Sequence, residues 1–179
     1  MKERILVTGG TGYIGSHTVV ELQNSGYEVI IIDNLSNSSA DVVDNIEKVS
    51  GIRPVFEKLD CLDFAGLDAM FAKYPGIKAI IHFAASKAVG ESVQKPLLYY
   101  RNNLVSLINL LELMPKHNVG GIVFSSSCTV YGQPDELPVT EQAPIKKAES
   151  PYGNTKQINE EIVRDTVASG APINAILLR

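Results

Sequence analysis

Apolar residues along the chain come in short β-branched runs separated by longer stretches with a helical period. "RILVT" from Arg4 predicts a first strand, followed by a helix from about Tyr13 to Ser25 with Gly26 at its C-terminal end. "YEVIIID", "PVFEKLD", "IKAIIHFAA", "GIVFSSS" and "INAILLR" predict five more strands. Between them "ADVVDNIEKVS", "FAGLDAMFAKY", Leu97 to Met114 and a segment from Tyr152 to about Ser169 predict helices. Several strands are nearly continuous apolar runs, as when helices cover both faces of a parallel sheet. The alternation implies right-handed crossovers and an α/β, doubly wound parallel sheet. A long loop is expected from Gly132 to Glu149, which carries Pro134, Pro138 and Pro144.

Composition narrows the function classes. With 179 residues, 45% hydrophobic, the chain suits one globular domain with its own core, spanning residues 1–179. A net charge of −4 and a pI near 5.4 argue against a nucleic-acid partner. Cys61 and Cys128 are too few for a disulfide framework, and neither they nor His17, His82 and His117 show a metal-ligand spacing, so no metal is expected. No stretch is long and apolar enough for a membrane span or a signal peptide, which reads as a cytoplasmic setting. The chain stops at Arg179, straight after an apolar strand without a closing element, and so reads as the N-terminal part of a longer enzyme.

"VTGGTGYIGSH" follows the first strand and opens the first helix. Gly9, Gly12 and Gly15 are spaced G-x-x-G-x-x-G, and Gly10, Gly12 and Gly15 satisfy G-x-G-x-x-G. Such a turn brings backbone close to a pyrophosphate, and the helix N-terminus offers it free N–H groups and a positive partial charge. Asp33 ends the second strand, 18 residues after Gly15, where an acid would hydrogen-bond adenosine ribose hydroxyls. A carboxylate there repels a 2′-phosphate and the next residue is Asn34, not Arg, which favours NAD over NADP.

"SPYGNTKQINEE" raises a second possibility. Ser150 suits an N-cap and Pro151 the first helical position, which places Tyr152 and Lys156 one turn apart on one helix face. "FSSSC" ends the fifth strand, so Ser127 should reach the same sheet edge. A free tyrosine titrates near ~10, so service as a base near neutrality needs a drop worth about 4 kcal/mol. One cation at about 4–6 Å supplies on the order of 3–4 kcal/mol at an effective dielectric of about 20, against an opposing burial penalty. Lys156 is therefore expected to acidify Tyr152, with the charge of an oxidised nicotinamide completing the shift.

The Ser127, Tyr152 and Lys156 set resembles that of the extended short-chain dehydrogenase/reductase superfamily. "VTGGTGYIGSHTVVEL", "HFAASKAVGESVQKPLLYYRNN", "FSSSCTVYG" and "SPYGNTK" together resemble its UDP-glucose (UDP-galactose) 4-epimerase family, over residues 4–179. The resemblance implies a Rossmann-type NAD-binding domain whose C-terminal substrate lobe is absent from this chain. It implies that Tyr152 takes the proton of a sugar 4-hydroxyl while hydride leaves C4, with Ser127 binding the same oxygen. The cofactor contacts it implies are Tyr13 and Ile14; Asp33, Asn34, Leu35, Ser36, Asn37 and Ser38; Asp60 and Cys61; Phe83, Ala84, Ala85, Ser86 and Lys87; Asn102; and Tyr152 and Lys156. Ala85-Ser86 departs from the Gly-Leu of the family pattern. The resemblance also implies a homodimer packed through the Leu97–Met114 and Tyr152–Ser169 helices. A nucleotide-sugar 4,6-dehydratase is the nearest alternative, but it would need an Asp-Glu pair where Cys128 and Thr129 stand. A non-catalytic NAD-binding module is the alternative of a different class. Residues 1–179 alone are expected to bind NAD weakly or not at all and not to epimerise; robust turnover of UDP-galactose by this polypeptide would contradict that expectation.

Overall fold

The computed structural model describes residues 2–179. Six strands form one parallel sheet: β1 (Arg4–Thr8), β2 (Glu28–Asp33), β3 (Val55–Lys58), β4 (Ile77–His82), β5 (Gly121–Ser125) and β6 (Asn174–Leu178). Their spatial order is β3-β2-β1-β4-β5-β6, so the winding reverses between β1 and β4. A crevice at the carboxyl ends of the strands is expected at that switch point.

The helices are α1 (Tyr13–Asn24), α2 (Asp41–Ser50), α3 (Phe64–Lys73), α4 (Val89–Gln94), α5 (Pro96–Lys116) and α6 (Pro151–Ala168). Strand alternation assigns them to opposite faces of the sheet. Leu6, Ile30, Ile80 and Phe124 point to a core closed by Leu67 and Phe71 of α3, Leu107 and Leu110 of α5 and Val163 of α6. Ile5, Val7, Val29 and Ile31 meet Val19 of α1 and Ile46 of α2 on the other side. On the edge strand β6, Ile176 and Leu178 remain more than half exposed.

The expected elements are present, and the differences lie at their ends. The expected strands overrun β3, β4 and β5 by two or three residues, because the chain leaves the sheet there; Leu59, Asp60, Ala84 and Ala85 of these overruns line the crevice. Two short elements carried no periodic signal. One is α4, which Tyr99 anchors by accepting from Ala88 N–H at 3.1 Å and donating to Glu91 at 2.9 Å. The other is a 3₁₀ turn, Cys128–Tyr131, capped by Ser127. The loop after Gly132 holds no helix or strand, and Gln157 of α6 pins it by donating to the carbonyls of Val130 and Lys146 at 2.8 and 2.5 Å.

At the switch point the last residues of β1 and β4 are joined side chain to side chain. Thr8 Oγ1 and His82 Nδ1 lie 2.6 Å apart, both buried, and Thr8 Oγ1 also accepts Ala84 N–H at 3.3 Å. Burial, with Lys156 nearby, pushes the His82 pKa down to about 3, so the imidazole is neutral in the fold. An unfolded histidine titrates at about 6.5, so between those values the unfolded chain binds the extra proton and stability falls as pH drops. From pH 6.5 to 5 this amounts to about 1.5 kcal/mol for one such group. In the intact protein, urea unfolding of His82→Asn should therefore show an acid limb flatter by about that amount. A slope equal to that of the unmutated protein would rule the effect out.

Candidate active site

Local sequence sets the dinucleotide end of the crevice. Gly9 has φ +70°, and a Cβ there would lie 2.8 Å from Ala84 N; one on Gly15 would lie 2.2 Å from Gly9 O. Both glycines are thus required by backbone meeting backbone. Gly12 differs, since a Cβ there would meet only Gly9 O at 3.2 Å. No side chain caps α1 at Gly12 and no acid stands in its first turn, so its N–H groups suit an anion. Tyr13 and Ile14 turn their side chains to solvent, at 78% and 60% exposure, so it is their backbone that faces this end.

Asp33 is buried at the tip of β2. Its Oδ2 accepts from Thr11 N at 3.3 Å, and its Oδ1 from Leu35 N at 2.9 Å and Ser38 Oγ at 3.2 Å. Three donors fix the carboxylate between the glycine loop and the loop after β2 while leaving it acceptor capacity for a ribose hydroxyl. Leu35, at φ +60°, contributes its backbone. Asn34 donates to Asp60 at 2.9 Å, which ties the ends of β2 and β3 together.

A cleft of about 610 Å³ opens from these residues. Asp33, Asn34, Ser36 and Asn37 line one wall, Asp60 and Cys61 the floor, and Ala84 to Lys87 with Asn102 the other wall. Phe83 is not in that lining; it packs partly buried against the α1/α2 core, where the residue before Ala84 must point. The Cys61 thiol belongs to the α3/α5 core, and burial, with Asp60 and Asp33, raises its pKa to about 12. At the departure from the family pattern, Ser86 is held through its backbone. Its N–H donates to Asn103 Oδ1 at 2.8 Å, and its carbonyl accepts from Asn103 Nδ2 at 3.0 Å. Asn102, which the sequence offered, donates to Ser86 Oγ at 3.1 Å, while its buried neighbour Asn103 holds the Ser86 backbone and also donates to Thr155 of α6 at 3.0 Å. Two consecutive asparagines gave no sign of which one faces inward.

Ser127, Tyr152 and Lys156 gather where β5 ends and α6 begins, beside the end of β4. Ser150 caps α6 by accepting from Gly153 N at 3.1 Å, and Pro151 takes the first helical position. Lys156 is 4% exposed; its Nζ donates to Ser125 O at 2.7 Å and stands 4.8 Å from the Phe124 ring centre and 5.8 Å from that of Tyr152. Burial pushes its pKa down to about 8. Ser127 Oγ accepts from Thr129 N at 3.2 Å and Thr129 Oγ1 at 3.0 Å, which leaves its own proton free to donate.

The expected acidification of Tyr152 is not what the chain alone produces. Burial raises the Tyr152 pKa; the Ser127 hydroxyl opposes this and Cys128 adds to it. The ammonium is hydrogen-bonded to the Ser125 carbonyl, not to the phenol, and does not outweigh the burial of Tyr152. The same enclosure that destabilises a phenolate also destabilises the lysine charge meant to support it.

No helix among the described residues is long and apolar enough to cross a membrane. The NAD dependent epimerase/dehydratase family matches residues 5–179. The chain is 51% identical to the UDP-glucose 4-epimerase of Schizosaccharomyces pombe over 179 residues, 98% of this chain and 50% of that protein. It is 51% identical to that of Bacillus subtilis over 175 residues, again 98% of this chain and 51% of the relative. Among solved structures, the UDP-glucose 4-epimerase of Bifidobacterium longum in complex with NAD+ and UDP superposes with a TM-score of 0.95 at 46% identity. It covers 98% of this chain, which spans 52% of that one. The Stenotrophomonas maltophila enzyme, with bound NAD and formylated UDP-arabinopyranose, gives 0.94 at 45% identity, over 99% of this chain and 52% of that one. The chain thus spans about half the length of the relatives it matches. With a match over nearly its whole length, the chain belongs to the NAD dependent epimerase/dehydratase family.

Proposed function

We propose that this chain is the NAD-binding domain of a UDP-glucose 4-epimerase, a carbohydrate isomerase of galactose metabolism in a cytoplasmic setting. The observation that carries the reading is the gathering of Ser127, Tyr152 and Lys156 where β5 ends and α6 begins, at the carboxyl edge of the same sheet whose β2 end carries Asp33. The cleft residues suit NAD: an uncapped α1 N-terminus for the pyrophosphate, and an oriented Asp33 for the adenosine ribose. NAD, when bound, would take a hydride from the sugar C4 and return it to the opposite face of the 4-keto sugar.

The protein's own groups then have three tasks. Tyr152 accepts the proton of the 4-hydroxyl and gives it back. Ser127, with its proton free, donates to that oxygen and orients it. Lys156, charged below a pKa of about 8, supplies positive charge near the phenol. Because burial alone raises the phenol pKa, proton transfer depends on a second positive charge, which an oxidised nicotinamide brings. Tyr152 would then be a phenolate able to accept the 4-hydroxyl proton when the ring is oxidised, and would hold that proton as a phenol when it is reduced. The dehydratase reading is disfavoured because Cys128 is an exposed thiol and the Thr129 hydroxyl is engaged with Ser127, so neither offers the acid-base pair that loss of water requires.

The relatives crystallised with UDP or a UDP-sugar support a UDP-sugar substrate. A homodimer is supported by apolar residues left exposed along α5 and at the end of α6, Leu97, Leu98, Val105 and Val167. Light scattering of the intact protein should give twice the chain mass, and a monomer would exclude the dimer. Tyr152→Phe in the intact protein should abolish UDP-galactose to UDP-glucose conversion while mass spectrometry still finds NAD. Unchanged turnover would exclude Tyr152 as the base.

A further inference from the structure

Glu160 lies one helical turn beyond Lys156 and two beyond Tyr152, on the same face of α6. Its side chain is 1% exposed. Arg179, at the end of β6, binds it in a fork, Nε to Oε1 at 2.9 Å and Nη2 to Oε2 at 2.6 Å, and Arg164 adds a contact to Oε2 at 2.8 Å. Two further groups complete the network. The buried Ser126 hydroxyl donates to Glu160 Oε1 at 2.6 Å. The third arm of Arg179 donates to Tyr131 Oη at 3.2 Å, with the guanidinium 5.1 Å from the centre of that ring.

Ser126 and Tyr131 bracket the segment Ser127–Val130, Tyr131 being the last residue of the 3₁₀ turn that Ser127 caps. We propose that Glu160 and Arg179 are positioning residues that clamp this turn at both flanks, Ser126 through Glu160 and Tyr131 through Arg179, and so aim the Ser127 hydroxyl. The inference rests on the epimerase reading above. A buried ion pair contributes little net stability, because desolvation offsets the attraction. What it supplies is orientation: a planar guanidinium holding a carboxylate at two points fixes the plane of that carboxylate, and with it the acceptor offered to Ser126. Ser126 in turn lies between Ser125, whose carbonyl holds the Lys156 ammonium, and Ser127. One ion pair therefore sets the position of the serine hydroxyl relative to the lysine and, through α6, relative to Tyr152. None of Glu160, Arg179, Ser126 and Tyr131 is among the residues assigned to NAD above, so loss of a clamp hydroxyl should leave cofactor retention alone.

The test removes one hydroxyl from each flank without disturbing the ion pair, in the intact protein carrying its NAD. Ser126→Ala and Tyr131→Phe should each lower kcat for UDP-galactose about tenfold, and the double variant about a hundredfold, because small misplacements of a reacting group are costly. KM and retained NAD should stay within about twofold, the pattern of a loss felt in the transition state alone. Ser126→Thr, which restores a hydroxyl, should recover most of the rate. A purely structural role predicts instead a lower melting temperature, with kcat per NAD-loaded molecule unchanged in all three variants. That result, alongside turnover by the unmutated protein, overturns the clamp and leaves the epimerase reading intact. Absence of turnover by the unmutated protein overturns both.

Discussion

The arrangement depends on one buried cation. Lys156 is almost fully enclosed, lies against Phe124 and Tyr152, and has a backbone carbonyl as its hydrogen-bond acceptor. Burial at this level lowers an ammonium pKa, and here it does so to about 8, close enough to neutrality for the charge to respond to its surroundings. Everything around it limits competing charge. His82, the nearest titratable group on β4, is held neutral by its own burial. Glu160, one turn away, has its charge taken up by Arg179 and Arg164. The lysine field is therefore free to combine with whatever positive charge a bound cofactor introduces.

That balance places the origin of reactivity outside any single residue. Tyr152 is less acidic in the chain than in water, because enclosure acts on the phenolate more strongly than the Ser127 hydroxyl does. On the proposed function, a phenol held protonated without an oxidised cofactor and ionised with one would couple proton transfer to redox state. The coupling has a structural cost: polar groups must be buried, and each then needs a partner. Asn103, Thr155, Asn159 and Ser86 form such a seam between α5, α6 and the loop after β4. It makes the wall of the cleft and the helix bearing Tyr152 one connected piece.

The fold was largely legible in the sequence, since strand and helix periods alternate and a parallel sheet buries its strands on both faces. The glycine loop and Asp33 were legible because their spacing is fixed by a strand, a turn and a helix in immediate succession. Ser127, Tyr152 and Lys156 were legible as candidates because helical spacing is local and strand ends meet at one edge of such a sheet. The short elements α4 and the turn at Cys128 were not, because four to six residues are too few to show a period; α4 is held by bonds from Tyr99 of α5 and the turn by a local cap from Ser127.

Sequence alone determined the element types, their order, and which residue types reach the carboxyl edge of the sheet, because these follow from hydrophobic period and backbone stereochemistry over a few neighbouring residues. Tertiary structure decided which of two adjacent asparagines is buried, that Phe83 joins a core and not the cleft, and that Gly9 and Gly15 are required by neighbouring backbone. It also decided the sign of the Tyr152 shift and brought Arg179 onto Glu160, 19 residues away in sequence. Each of these turns on burial and on contacts between separate elements, and the free energy of a charge or a polar group depends on what encloses it, which no local pattern records.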